Sequence, residues 1–197
     1  MDAPSERAHH RGMTKSTFAR DRKLVGGLLA ARGLADTRWI DPREIVVAEW
    51  VRMKCRFGCD GYGKGACCPP NVPSVAECRA FFAEYGLGAV IRFEKRCADP
   101  GERREWSMAR TRDLLALERD VFLAGYERAF VLVFATCHLC AECAPTRGAC
   151  AKPALARPTP EAFAVDVFST AHRIGYPIQV TTSLDDLQNR FAILLVR

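Results

Sequence analysis

Hydrophobic residues along the chain alternate between helical spacing and short continuous runs. Apolar residues three and four positions apart predict helices over 17–32, 75–85 and 103–124, and a further helix that begins at Thr159. Short apolar runs predict strands over 45–53, 88–94 and 129–135, with two more near 177–181 and 191–196. Helices that alternate with strands predict an α/β fold in which the helices pack on a mixed sheet.

Two of these helices begin with favourable capping sequences. Ser74 and Glu77 match a capping box, because the serine hydroxyl and the glutamate carboxylate can each accept a bond from a free backbone N–H. Thr159, Pro160 and Glu161 place an N-cap residue, a proline and an acid in the favoured order. Both helices therefore have a defined start after a cysteine-rich segment.

The order of elements repeats along the chain. Segments 16–97 and 102–197 each run through a helix, a strand, a cysteine-rich loop, a proline-rich turn, a capped helix and a strand. In both segments the first cysteine follows the predicted strand by two residues, at Cys55 and Cys137. We therefore predict a single metal-binding domain over 16–197 that is built from two similar halves by internal duplication. The simpler alternative is that any α/β chain repeats helix and strand.

Composition and the N-terminal sequence favour a cytoplasmic protein. The chain has 197 residues, of which 49% are hydrophobic, enough to bury a core without disulfide bonds. No run of about 18 apolar residues predicts a transmembrane helix. Residues 1–15 are polar and lack the apolar stretch of a secretory signal, so we expect a disordered lead. In the cytoplasm, closely spaced cysteines favour metal or redox roles over structural disulfides.

The net charge of +6 is modest for this length and does not by itself predict binding to nucleic acid. One basic cluster, formed by Arg52, Lys54, Arg56 and Lys64, surrounds the first group of cysteines. These side chains would balance the charge of thiolates and of a bound anionic cluster. In an enzyme, Lys54, Arg56 and Lys64 would hold a small anionic substrate. We expect neither a nucleic acid nor a membrane as a partner.

Eight of the ten cysteines fall into two groups, of which the second is the more regular. Its members are Cys137, Cys140, Cys143 and Cys150. Three cysteines spaced three apart can wrap a loop around three corners of a cubane 4Fe–4S cluster, and a fourth can close the last corner. Zinc is the nearest alternative, although it usually takes two well-separated cysteine pairs. Disulfides or free thiols are a third interpretation.

The first group comprises Cys55, Cys59, Cys67 and Cys68 in a glycine-rich loop. Cys67 and Cys68 are adjacent, and neighbouring side chains of an extended chain point in opposite directions. The loop therefore predicts a second cluster held by Cys55, Cys59 and Cys68, with one iron free of cysteine. A closed site that also uses Cys67 is the alternative. An open iron can bind substrate as a Lewis acid, whereas a closed cluster mainly moves electrons.

Three stretches of the sequence resemble a known family. They are VRMKCRFGCDGYGKGACCPP over 51–70, the CHLCAEC run that begins at Cys137, and ARPTPEAFAVDVFSTA over 156–171. In these stretches the chain is similar to the predicted metal-binding proteins of domain of unknown function 2284. The resemblance implies a metal bound by cysteines, as an iron–sulfur cluster, and it implies no particular reaction. It also implies that one cysteine precedes the two prolines, which corresponds to Cys68 and leaves Cys67 as an extra residue.

Three functional hypotheses follow from these patterns. The leading one is an iron–sulfur protein with a redox or electron-transfer role, which uses two cysteine sites and a redox partner protein. The alternative is an enzyme that uses an open 4Fe–4S cluster on a small anionic substrate. The third is a zinc-stabilised interaction module. The sequence contains no Ser-His-Asp, Walker or Rossmann signature that would favour hydrolase or nucleotide chemistry.

Overall fold

The structure of the chain is a computed structural model that describes residues 15–183 and 185–197. Within these residues it contains five α-helices and four strands. The helices are α1 (Lys15–Ala31), α2 (Glu49–Gly58), α3 (Val75–Ala83), α4 (Pro100–Leu123) and α5 (Val167–Arg173). The strands are β1 (Thr37–Ile40), β2 (Gly88–Lys95), β3 (Phe130–Leu132) and β4 (Gln188–Leu195). None of the helices in the described part is long and apolar enough to cross a membrane.

The strands form one antiparallel sheet with the order β1-β2-β4-β3. Its central strands, β2 and β4, pair along their whole length, from Gly88 opposite Leu195 to Lys95 opposite Gln188. The α/β class predicted from the sequence is confirmed, but the described strands are all antiparallel and the expected mixed sheet is wrong. The strand predicted over 45–53 is absent from this sheet.

Helices cover both faces of the sheet and enclose two hydrophobic cores. On one face, α1 and α4 pack against the strands, with Val25 and Leu117 fully buried. On the opposite face, α3 and α5 cover the strands, and Phe82 of α3 lies in that core. Successive residues of a strand point to opposite faces, so Val90 enters the second core and Ile91 the first.

The segment 45–53 is largely helical, which corrects the strand predicted there. Its first residues pair briefly with a neighbouring segment through a bridge between Val47 and Val165, but α2 begins at Glu49. An apolar run this short is compatible with a helix as well as with a strand, and an acid in the first turn favours a helix. Cys55 consequently lies within α2 and not beyond a strand.

The helix expected from Thr159 is interrupted. Thr159 Oγ1 accepts a bond from the Ala162 N–H at 3.2 Å and starts only a short 3-10 turn, Glu161–Phe163. Ala164 then adopts a left-handed conformation with φ of 58°, which ends the turn. Asp166 caps α5 after this break. The capping sequence at Thr159 therefore has a local effect, and the longer helix is not formed.

Two of the predicted strands also differ from the structure. The apolar run 129–135 is buried, but it leaves the sheet after Leu132, since the Val133 N–H bonds to the Pro158 carbonyl at 2.9 Å. No strand forms over 177–181, and β1 is a strand that the hydrophobic pattern did not predict.

Predictions based on local signals are confirmed. The Ser74 hydroxyl accepts from the Glu77 N–H at 3.2 Å, and the Glu77 carboxylate accepts from the Ser74 N–H at 2.7 Å, so the capping box of α3 is present. The helices predicted over 17–32 and 103–124 correspond to α1 and α4. These helices carry their own periodic pattern and need no distant partner to define them.

The two predicted halves contribute equivalent helices to each face. Their first helices, α1 and α4, share one face of the sheet, and their second helices, α3 and α5, share the other. The halves differ in register, since β1 pairs with the first part of β2 and β3 with the last part of β4. Internal duplication of 16–97 and 102–197 therefore stays a prediction. Of the predicted lead over 1–15, residues 1–14 lie outside the described residues, and Lys15 opens α1.

Candidate metal centres and the adjoining cavity

Three cysteines of the first group line one cavity of about 700 Å³. Cys55 lies in the last turn of α2, Cys59 is the C-cap residue of the same helix, and Cys68 follows the glycine-rich loop. The C-terminal end of α2 therefore places Cys55 and Cys59 at the cavity. The loop that follows returns to the same cavity and adds Cys68. The structure thus brings together the three cysteines that the sequence predicts for the first site.

The loop over 59–71 is held in place by its own backbone. Gly63 has a φ of +72°, a conformation that favours glycine, and its N–H bonds to the Pro69 carbonyl at 2.9 Å. The Cys68 N–H bonds to the Gly65 carbonyl at 3.0 Å and closes a tight turn. These bonds fix the position of Cys68 relative to α2.

A second cavity, of about 330 Å³, contains the second group of cysteines. Its lining includes Cys67, Cys137, Cys140, Cys143 and Cys150. Four of these form the group predicted from the sequence, and the fifth, Cys67, comes from the first loop. Cys67 and Cys68 therefore line different cavities, as predicted for neighbouring side chains that point in opposite directions. The prediction assumed an extended chain, whereas both residues lie in a turn. This arrangement supports the interpretation of the first site as a three-cysteine site.

The two cysteine groups adjoin at Gly65. A Cβ atom on this glycine would lie 3.4 Å from the Cys68 sulfur and 3.9 Å from the Cys143 sulfur. The two sulfurs are therefore neighbours, although Cys143 lines the smaller cavity and Cys68 the larger. The two sites are therefore next to each other in space.

Hydrogen bonds join the two cysteine loops. The Asn71 side chain donates from Nδ2 to the Gly65 carbonyl at 3.2 Å and to the Pro145 carbonyl at 2.6 Å. Arg147 places Nη1 3.6 Å from the Cys67 sulfur and donates toward it. The first of these bonds lies within the loop after α2, and the Asn71–Pro145 and Arg147–Cys67 contacts link that loop to the loop after β3, so the two loops form one structural unit.

The cavities change the acidity of their thiols. Burial raises the pKa of Cys55 and of Cys68, and repulsion from neighbouring thiolates adds to the effect. In the smaller cavity, a hydrogen bond from Cys67 lowers the pKa of Cys137 to about 6, and the Leu139 N–H supports the same shift. That bond raises the pKa of Cys67, which remains the donor. Cys137 is therefore predisposed to be a thiolate, the form of cysteine that binds metals.

The basic residues proposed from the sequence for a substrate lie on the surface around α2. Lys54, Arg56 and Lys64 are all exposed, and none of the three lines either cavity. The Arg56 guanidinium rests 5.4 Å from the ring centre of the exposed Phe57. Substrate binding by these three side chains stays a prediction, and none of them lines the adjoining cavity.

Three arginines that the sequence analysis missed line the larger cavity. Arg103 and Arg104 lie near the start of α4, and Arg190 lies on β4. The paired arginines after Pro100 were a visible sequence signal. Nothing in the sequence indicates that Arg190 joins them, because the fold brings β4 to the same cavity.

Other polar side chains complete the wall of the larger cavity. They include Tyr62, Ser107, Thr136, His138, Thr159 and Glu161. His138 follows the first cysteine of the second loop, and its Nε2 lies 3.1 Å from the Thr136 hydroxyl. Burial lowers the pKa of His138. The cysteines of the second loop thus line the smaller cavity, whereas His138 of the same loop lines the larger one.

The donor set of both cavities fits a metal group that prefers sulfur. Thiolates favour zinc and iron–sulfur clusters over hard cations. Within residues 15–183 and 185–197, no three His, Cys, Asp or Glu side chains converge closely enough to hold a single metal ion. The remaining cysteines lie elsewhere: Cys78 is fully buried in the core, and Cys97 donates to the Asp99 carbonyl at 3.3 Å.

Comparison with known proteins agrees with this chemistry. The family model described as Predicted metal-binding protein (DUF2284) matches residues 38–196, a span that contains both cysteine groups and both cavities. Neither the curated proteins nor the solved structures that were compared gave a match. The family match and the cysteine content both support metal binding. Because the match covers most of the sequence, the chain belongs to the DUF2284 family of predicted metal-binding proteins.

Proposed function

We propose that this protein holds two iron–sulfur clusters and uses them in electron transfer with a redox partner protein. The observation that carries the proposal is the position of Cys67 and Cys68. One peptide bond joins these residues, and they line two adjoining cavities, each of which contains further cysteines. Two adjoining cysteine groups fit a pair of neighbouring clusters between which an electron can pass.

The proposed ligands follow from the residues that line each cavity. One cluster would be held by Cys55, Cys59 and Cys68, and the other by Cys137, Cys140, Cys143 and Cys150. Bound 4Fe–4S clusters supply one-electron chemistry, with potentials set by hydrogen bonds to sulfur, net charge and exposure. Zinc supplies no redox chemistry, so the metal identity decides the function.

Side chains around the smaller cavity supply positive charge and order. Lys152 lines this cavity and donates from Nζ to the Leu139 carbonyl at 2.7 Å, which fixes the loop between Cys137 and Cys140. Arg147 adds a second positive charge beside Cys67. A cluster bound by four thiolates is anionic, and these two cations would offset part of that charge.

The route between the two sites consists of this chain's own atoms. Cys68 lines the larger cavity, and its neighbour Cys67 lines the smaller cavity together with Cys137. A single peptide bond thus joins a ligand of the first proposed cluster to a residue that lines the cavity of the second. This short connection favours electron transfer within the molecule.

The larger cavity favours a second candidate function. A cubane cluster has four corners, and only three cysteines line this cavity among the described residues. An enzyme that acts on a small anionic substrate at an iron without a cysteine ligand is therefore the alternative. The substrate would occupy the volume of about 700 Å³ that lies against Cys55, Cys59 and Cys68.

Metal analysis of protein purified without oxygen tests the leading proposal. We expect brown protein with roughly eight iron and eight sulfide per chain, and an absorbance shoulder near roughly 400 nm that bleaches on reduction. Fully reduced protein should give an electron paramagnetic resonance spectrum broadened by interaction between two neighbouring clusters. Colourless protein with stoichiometric zinc, even after anaerobic reconstitution, would leave the zinc-stabilised interaction module as the function.

Added cyanide or a small thiol separates the two redox candidates. An iron without a cysteine ligand can accept such a molecule, and its spectrum then changes. A spectral response in brown wild-type protein would show an open iron at the three-cysteine site and favour the enzyme. No response would show that a fourth ligand closes this site and would favour electron transfer alone.

A further inference from the structure

We infer that the larger cavity binds a small oxyanion, a carboxylate or phosphate group, through Arg103, Arg104 and Arg190. The inference names the ligand class for the second candidate function. It rests on the proposed function only for the identity of the group that the neighbouring cysteines hold. The oxyanion site itself rests on the three arginines and the cavity they line.

None of the three arginines has a carboxylate partner. Among the described residues, Arg103, Arg104 and Arg190 form no salt bridge, whereas other arginines such as Arg92 and Arg157 pair with acids. Arginines that line a concave surface without an internal partner are available to an external anion.

The fold holds two of these cations close together. Arg190 is half-buried on β4, and both its burial and repulsion from Arg103 on α4 lower its pKa. Its Nη2 donates to the Gln188 side chain at 2.8 Å, which orients the guanidinium toward one end of the strand. Two like charges brought together by separate elements repel each other until an anion lies between them.

One acid shares this cavity with the arginines. Glu161 follows the Thr159 cap and attracts Arg190, although at a distance beyond a salt bridge. A single carboxylate does not balance three guanidinium groups, so the part of the cavity that the arginines line stays positively charged whether or not Glu161 is ionised, although thiolates at the cysteines would add negative charge elsewhere in the cavity. The wall that the arginines form therefore favours an anion.

The size and lining of the cavity indicate a small ligand. A volume of about 700 Å³ lies within the range of small-molecule sites. The planar guanidinium forms paired hydrogen bonds with carboxylate or phosphate oxygens, and hydroxyls of Ser107, Thr136 and Thr159 line the same wall. A ligand held at the arginines would place the rest of its structure toward Cys55 and Cys68, which line the same cavity.

Calorimetric titration of anaerobically prepared full-length protein tests the oxyanion site. The probes are inorganic phosphate and succinate, each at constant ionic strength in chloride. We expect one binding event in wild-type protein, weakened at least about tenfold in Arg103→Gln and in Arg190→Gln, because each loses a charge-assisted hydrogen bond. Arg190→Lys keeps the charge without the planar fork, and we expect intermediate affinity.

Two control variants make the result specific. Arg112→Gln and Arg119→Gln each remove an exposed arginine of α4 that does not line the cavity. Both should bind the probes as wild-type does. Absence of binding in wild-type protein, unchanged affinity in Arg103→Gln and Arg190→Gln, or equal loss in Arg112→Gln and Arg119→Gln would each overturn the inference.

Iron analysis of the same samples separates this inference from the proposed function. Arginine-dependent binding in protein without iron would retain the oxyanion site and reject the clusters. Iron-loaded protein that binds neither probe would retain the clusters and reject the oxyanion site. A melting curve shows whether each variant is folded. If Arg103→Gln or Arg190→Gln is not folded, Arg104→Gln, which changes an exposed residue, is tested in its place.

Discussion

Cys67 and Cys68 are consecutive residues whose side chains line different cavities. Cys67 is buried against the second cysteine loop and lines the smaller cavity with Cys137, whereas Cys68 lines the larger cavity with Cys55. The turn closed by the Cys68 N–H fixes this divergence. Through this pair, the loop after α2 contributes one cysteine to each cavity.

Serine substitutions at this pair should have different effects. We expect Cys68→Ser to lose about half of the iron, because it removes one of three cysteines of the first site. Cys67→Ser should keep both clusters and shift the potential of the second, since hydrogen bonds to sulfur tune that potential. Iron content and a redox titration measure the two effects.

Cys97→Ser is the matched control for both variants. Cys97 donates to the Asp99 carbonyl, a bond that serine can also make, and it lines neither cavity. It should keep both iron content and potential. Loss of half of the iron in Cys67→Ser would instead identify Cys67 as a ligand.

Cys140→Ser should damage folding as well as metal content. The cysteine lies in a loop between a buried strand and the rest of the second core, so metal-binding energy contributes to folding there. We expect a lower melting temperature, measured by circular dichroism of protein purified without oxygen. A wild-type melting curve in a variant that has lost its metal would show that the site is peripheral to the fold.

Asn71→Asp should loosen the contact between the two cysteine loops. The substitution keeps the shape of the side chain but removes the amide N–H groups that donate to Gly65 and Pro145. Loss of these bonds should cost about 1–3 kcal/mol of unfolding free energy, measured with urea. Asn189→Asp is the control, because the Asn189 side chain accepts its bond from Arg92 and aspartate still can. Equal losses in both variants would contradict a specific role for Asn71.

Arg157→Ala should destabilise the protein by leaving a buried acid unpaired. Glu118 on α4 is mostly buried, accepts two bonds from Arg157 and a third from the Val131 N–H of β3. Removal of one partner of a buried pair costs about 3–5 kcal/mol. Adding Glu118→Gln should recover part of this loss, because no unpaired charge remains. Urea unfolding curves of the single and double variants provide the test, and an unchanged curve in Arg157→Ala would contradict it.

The local features of this protein were determined by short stretches of its sequence. The capping box of Ser74 and Glu77 forms as predicted, because its two bonds connect residues three apart. The periodic helices α1 and α4 and the run that becomes β2 also carry their own signals. The chemistry of the site was visible too, since thiols at this spacing favour a sulfur-bound metal group in any fold.

The tertiary structure decided how these features meet. The apolar run 45–53 fits a strand or a helix equally well by itself, and its surroundings make it mainly helical. The position of Cys67 in the smaller cavity depends on a turn packed against a loop far along the chain. Arg103 and Arg190 meet only because α4 and β4 reach the same cavity. Contacts of this kind join residues that are distant in sequence, and neither periodicity nor spacing records which distant segments will pack together.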